Sequence, residues 1–134
     1  MVDITPLIRA DSKVIQSYRG GRFKISGEVY DRPVIVTADQ VLEWDIEINN
    51  TSFDSFYNRS FVDHLKKSLP KEHSVVLIGT GAKFQMPGSS DIMRYSQETL
   101  RGVEFMDSGA ASRTYNVLLA EGRDVAAALL PFTH

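Results

Sequence analysis

The residues best equipped for chemistry fall in two short stretches. Gly79-Thr80-Gly81 closes an apolar run in LIGTGAKFQMPG (77–88), and Asp107-Ser108 opens a helix-like stretch in MDSGAASRTYN (106–116). Glycines after a strand let backbone N–H groups approach a phosphate closely. A helix N-terminus adds unpaired N–H groups and the positive end of the helix dipole. Arg113 could clamp a carboxylate or phosphate through two parallel N–H bonds. Gly79, Thr80, Gly81, Asp107, Ser108 and Arg113 therefore form a candidate crevice for an anionic ligand. Each also has a plainer use: the glycines turn the chain, Asp107 caps a helix, and Arg113 makes a surface ion pair.

The recognised phosphate motifs are incomplete. A dinucleotide fingerprint needs GxGxxG leading straight into a helix, but Phe84 stands where the third glycine belongs, and about ten residues of loop follow. No Gly-Lys-Ser/Thr follows at the spacing of a Walker loop. Ser108 and Ser112 are available nucleophiles, yet neither sits in GxSxG. The histidines, His64, His73 and His134, form no HxH or HxxxH pair that would suggest a metal site. Glu43, Asp45 and Glu47 alternate along one strand face, as a solvated face would.

Composition narrows the classes further. The chain has 134 residues, 43% hydrophobic and 24% charged, which suits a single domain over residues 1–134. With no cysteine, thiol catalysis, disulfides and zinc–thiolate sites are excluded. A formal charge of −2 offers no basic footprint for nucleic acid. No apolar run approaches the ~20 residues of a membrane helix, and the start lacks the pattern of a secretory signal. The expectation is a soluble, cytoplasmic protein that is not membrane-embedded, with residues 1–13 as an extended or flexible arm.

The elements that would position these residues change rhythm along the chain. The first part reads as strands: a hairpin turning on Gly20-Gly21, a short strand at Val34-Ile35-Val36-Thr37, and VLEWDIEI (41–48), which alternates with period 2. Leu42, Trp44, Ile46 and Ile48 share its apolar face. The Phe53-Phe56-Tyr57 cluster reads as core, or as an interaction patch if exposed. The second part alternates helix and strand: a helix at 58–69 capped by Asn58 and ended by Pro70, a strand at 74–79, a helix from Ser89-Ser90-Asp91 to Leu100, a strand at 103–106, and a helix from about Gly109 to Glu121 with Gly122 beyond its end. DVAAALLP favours helix by propensity. It is too short for one between Gly122 and Pro131, and its unbroken apolar run suits a strand buried on both faces. If the strands at 74–79 and 103–106 are parallel neighbours, the two chemistry-bearing loops leave from adjacent carboxyl ends, where open α/β sheets bind ligands.

Residues 102–131, GVEFMDSGAASRTYNVLLAEGRDVAAALLP, resemble a pattern of roughly G-V-E-x-M-D-T-x-A-A-C-R-T-Y-N-V-L-x-x-E-G-R-x-V-A-A-A-L. LIGTG (77–81) matches a second mark, and Gly21, Phe23, Ile25, Gly27 and Trp44 fit the opening strands. On these residues the chain resembles the Mth-type domain family of unknown function, which includes mitochondrial complex I assembly factor 3. The resemblance implies a three-layer α/β fold with a mixed central sheet, helices on its faces and a β-rich N-terminal portion. It also implies a non-enzymatic role, since the mitochondrial member helps to assemble NADH:ubiquinone oxidoreductase and is not known as an enzyme. Two departures stand out, Ser108 where Thr is usual and Ser112 where Cys is usual. The second denies any scheme with a thiol at that position.

Two functional readings follow. One is an interaction protein without cofactor or metal, a complex I assembly factor whose partners would be complex I subunits or other assembly factors. It would meet them through the helix face bearing Arg113 and Asn116, or through the loop 82–90. The other is a small-molecule or anion-binding protein, or an enzyme, using the crevice.

Overall fold

Two consecutive residues with positive φ make a hairpin turn whose twist matches its strands, and the chain does this twice. Gly20 and Gly21 (φ 58° and 77°) join β1 (Ile15–Arg19) to β2 (Arg22–Ile25), and Ser26 and Gly27 (φ 46° and 90°) join β2 to β3 (Glu28–Tyr30). The result is an antiparallel three-stranded sheet in the order β1-β2-β3. The computed structural model describes residues 11–44 and 52–133. Residues 1–10, most of the expected arm, and residues 45–48 of the expected strand lie outside that range. Lys13 is tied at both backbone groups: its N–H donates to the Ala38 carbonyl at 3.0 Å, and the Tyr115 hydroxyl donates to its carbonyl at 2.8 Å.

The main sheet has five strands in the order β5-β4-β8-β6-β7, formed by β4 (Val34–Val36), β5 (Val41–Glu43), β6 (Val75–Gly79), β7 (Val103–Met106) and β8 (Val125–Leu129). It is mixed: β4 runs antiparallel to β5 and β8, whereas β6 runs parallel to β7 and β8. The alanine-rich segment is thus a central strand, as its burial requires, and all five of its residues are buried. Burial on both faces outweighs helix propensity here.

Alternation along the strands builds two cores. Ile35, Val76, Ile78, Ala126, Ala128 and Leu130 face one way, and helices α1 (Phe53–Phe56), α2 (Arg59–Ser68) and α3 (Ser90–Thr99) cover them. Val34, Val36, Val75, Leu77, Ala127 and Leu129 face the other way, under α4 (Ser108–Ala120) and the three-stranded sheet. Helices, central sheet, and helix plus small sheet make three layers. Phe53, Phe56 and Tyr57 are all buried and belong to the first core. The turn α1, capped by Ser52, is a helix that periodicity does not reveal, because four residues span barely one repeat.

The caps explain where the longer helices begin and end. The side chains of Asn58, Ser89 and Asp107 accept N–H bonds from Phe61, Asp91 and Ala110, the usual service of an N-cap. At the far end of α4, Gly122 adopts φ 77°, Gly122 N–H donates to the Leu119 carbonyl and Arg123 N–H to that of Leu118. That bond pair is the Schellman arrangement, which glycine favours.

The first core is aromatic and contains one hydroxyl that must be satisfied. Tyr57 lies against Phe53, Phe61 and Phe105, and its hydroxyl is 2.9 Å from Ser96 Oγ, itself bonded to the Ile92 carbonyl. Burial pushes the Tyr57 phenol up to about 12, with the Ser96 bond pulling the other way. Burial also raises Tyr115, helped by the charge of Asp39. Both phenols are held neutral in the fold, so their contribution to stability is complete below the ordinary phenol value of 10 and is lost as the pH rises through the raised values. Urea unfolding at pH 8 and pH 11 should show that loss. Tyr57→Phe should reduce it by about 1 kcal/mol while leaving the Tyr115 share. An identical pH dependence in the variant would contradict this account.

Candidate functional site

β6 and β7 are parallel with Gly79 opposite Met106, so residues 80–81 and 107–108 emerge side by side. The two segments are then stitched together. Thr80 N–H donates to the Met106 carbonyl at 2.8 Å, Ser108 N–H to the Gly81 carbonyl at 2.7 Å, and Gly81 N–H to Ser108 Oγ at 2.9 Å. The Ser108 hydroxyl in turn donates to the Leu130 carbonyl at 2.6 Å. One buried side chain therefore joins the end of β6, the start of α4 and the exit of β8. Thr80, also buried, donates to the Lys83 carbonyl at 2.7 Å and accepts from Gln85 N–H at 3.1 Å.

The glycines are explained by close approach. A Cβ on Gly79 would stand 2.8 Å from Ser108 Oγ and 3.0 Å from Ser108 Cα. Gly81 has φ 112°, and a Cβ there would lie 2.7 Å from the Phe132 carbonyl oxygen. Segment 130–132 crosses the strand ends at this point. Leu130 N–H donates to the Gly79 carbonyl at 3.0 Å, while Ala82 N–H (2.7 Å) and the Tyr18 hydroxyl (3.0 Å) both donate to the Phe132 carbonyl. Tyr18 is raised above the ordinary phenol range, first by burial and then by the negative charge of Asp107.

Asp107 and Arg113 lie at the rim. Asp107 Oδ1 accepts from Ala110 N–H at 2.8 Å, which occupies the first turn of α4 with a carboxylate. Arg113 is exposed and reaches back over that turn: a Cβ on Gly109 would stand 3.4 Å from its Nη1 and 3.3 Å from Asp107 Oδ1. Ser112 is buried and donates to the Ser108 carbonyl at 2.8 Å. Asn116 serves elsewhere. Its Oδ1 accepts from Ile15 N–H at 3.0 Å and its Nδ2 donates to the Ile15 carbonyl at 2.7 Å, which ties α4 to β1. The structure thus joins Gly79, Thr80, Gly81 and Ser108 in one network, sets Asp107 and Arg113 beside it, and gives Asn116 an internal partner.

A second feature lies at the opposite end of the parallel strands. A cleft of about 270 Å³ is lined by Thr37, Asp39, Glu72, His73, Arg123 and Asp124 among others. His73 is buried, with Nδ1 2.8 Å from the Pro70 carbonyl and Nε2 without a hydrogen-bond partner. In the sequence it reads only as a loop histidine, because the Pro70 contact and the cleft arise from packing. Among the described residues no group of three or more His, Cys, Asp or Glu side chains is arranged to hold a metal ion.

Residues 15–130 match a family described as proteins of unknown function, DUF498/DUF598. The chain belongs to this family. It is 31% identical over 115 residues to a 13 kDa major membrane protein of Francisella tularensis subsp. holarctica, covering 86% of this chain and 88% of that one. It is 28% identical to human NADH dehydrogenase [ubiquinone] 1 alpha subcomplex assembly factor 3, covering 91% of this chain but only 62% of the assembly factor. The solution structure of a Bordetella pertussis protein described as an Mth938-like domain superposes with a TM-score of 0.68 at 22% identity, over 99% of this chain and 93% of that one. The Mth-type resemblance and the fold it implied are therefore confirmed. Among the described residues no helix is long and apolar enough to cross a membrane, whatever the name of the Francisella relative.

The Ser108 junction yields a direct test. Ser108→Ala leaves Gly81 N–H and the Leu130 carbonyl buried without that partner, at about 1–3 kcal/mol each if nothing replaces it. Asp107→Ala removes only a cap, about 1 kcal/mol. Urea melts should give a lower midpoint at unchanged slope for both, with Ser108→Ala the more damaging. The reverse order would show that the junction is not the tighter constraint.

Proposed function

We propose that this chain is a single-domain, non-catalytic interaction protein of the cytoplasm that assists assembly of a respiratory complex of the NADH:ubiquinone oxidoreductase type. Its partners in this reading are complex I subunits or other assembly factors. One observation supports it above the rest. The polar groups that an α/β protein usually presents at its strand ends are spent inside this chain, on Ser108, Thr80 and segment 130–132. The relatives named as complex I assembly factors point the same way.

A second reading rests on Arg113. Its exposed guanidinium over the first turn of α4 favours a small anion bound there, among Gly79, Thr80, Gly81, Asp107 and Ser108. Asp107 opposes it, because that carboxylate already caps the N-terminus and would repel a second negative charge. Phosphate titration followed by amide chemical shifts separates the two. Shifts around residues 107–113 that vanish in Arg113→Ala would favour the anion site, and shifts unchanged by that substitution would remove Arg113 from it.

Affinity purification of the tagged protein from its own cells, with mass spectrometry of the co-purifying chains, tests the main reading. Enrichment of complex I subunits or of other assembly factors over an untagged control is expected. A preparation free of both would overturn it.

A further inference from the structure

The loop that follows β6 is tied down by hydrogen bonds that its composition does not predict. Thr80 Oγ1 ties its start to the Lys83 carbonyl and to Gln85 N–H, Ala82 N–H is bonded to the Phe132 carbonyl, and Gly88 N–H donates to Asp54 Oδ1 at 2.8 Å. Yet the held loop turns Phe84 and Met86 outward, 57% and 45% exposed. A single exposed apolar residue is ordinary. Two large ones at alternate positions of one pinned loop are a preorganised pair, because the entropy cost of fixing them for a partner is met before binding. Lys83 stands beside them, and residues 81–90 contain no carboxylate.

We propose that Lys83, Phe84 and Met86 form a docking knob that enters an apolar pocket on a partner protein, with a carboxylate at the pocket rim opposite Lys83. This rests on the interaction reading above and assigns it a surface. Size and charge choose the occupant. A second copy docking knob to knob would set Lys83 against Lys83, with no carboxylate in residues 81–90 to neutralise the pair. A bilayer is also a poor fit. Two half-exposed side chains supply less apolar surface than one myristoyl chain, which alone binds only marginally. A single lysine on a chain of net charge −2 adds little attraction to anionic lipid. A pocket lined by protein can add packing and a desolvated ion pair to the same two anchors, as interface hot spots do.

The test places photoreactive benzoyl-phenylalanine at position 84 of the full chain in its own cells, then maps the adduct after irradiation. The expected product is one discrete protein adduct, cross-linked at an apolar segment with Asp or Glu nearby. Its yield should fall about tenfold in Met86→Ser and in Lys83→Glu. It should be unchanged in Val117→Ser, which alters an exposed apolar residue on the outer face of α4. Adducts to lipid, adducts to another copy of this chain, no adduct, or a yield indifferent to Met86→Ser and Lys83→Glu would each overturn the proposal. The Phe84→Ser, Met86→Ser double variant, tagged as before, distinguishes the two levels. If it still captures complex I subunits or other assembly factors, the interaction reading survives and the knob does not.

Discussion

The fold depends on a strand that water never reaches. β8 lies between an antiparallel neighbour, β4, and a parallel one, β6, and all five of its residues are buried. A strand placed there must be apolar on both faces. Its three alanines add a second constraint: small side chains on both faces leave room for large ones above and below. Phe53, Tyr57 and Phe61 belong to the core on one side, and Tyr115 and Leu119 of α4 to the core on the other. Enlarging Ala126, Ala127 or Ala128 would push one of these layers outward, because a close-packed interior has no spare volume.

The same strand brings its own exit into play. Once β8 is central, residues 130–132 must leave across the carboxyl ends of the parallel strands, the location where many α/β proteins hold a ligand. Here the chain fills that location with backbone carbonyls that take up the N–H of Ala82 and the hydroxyls of Ser108 and Tyr18. Gly79 and Gly81 then serve contact with Ser108 and Phe132, and Thr80 beside them carries the hydrogen bonding on into the loop that bears Phe84 and Met86. Stability and presentation of a surface are thus two results of one set of hydrogen bonds.

Local chemistry made much of this legible. Asn58, Ser89 and Asp107 announce helix starts because capping is decided within three residues. Gly20-Gly21 announces a hairpin for the same reason, and β8 follows from length and burial. Adjacency of residues 80–81 and 107–108 was also readable, since it needs only a parallel pair. What each polar group would bond to was not. Ser108 meets Leu130, Asn116 meets Ile15 and Tyr115 meets Lys13 across separations of 22, 101 and 102 residues, which no spacing rule encodes. Asn116 reads as a surface residue because its helical position says nothing of the strand lying against it. The turn α1 escaped because it is too short to show a period.

The Asn116 clamp also protects the molecule. Sheet edges with unpaired N–H and C=O groups are templates on which other chains can add strands. On β1, Ile15 would offer such a pair on the side away from β2. A primary amide carries one acceptor and two donors, so Asn116 can occupy both groups of Ile15 at once, and it does so from a helix. At Ile15 the edge is therefore met by a side chain that can pair with a strand but cannot extend the sheet.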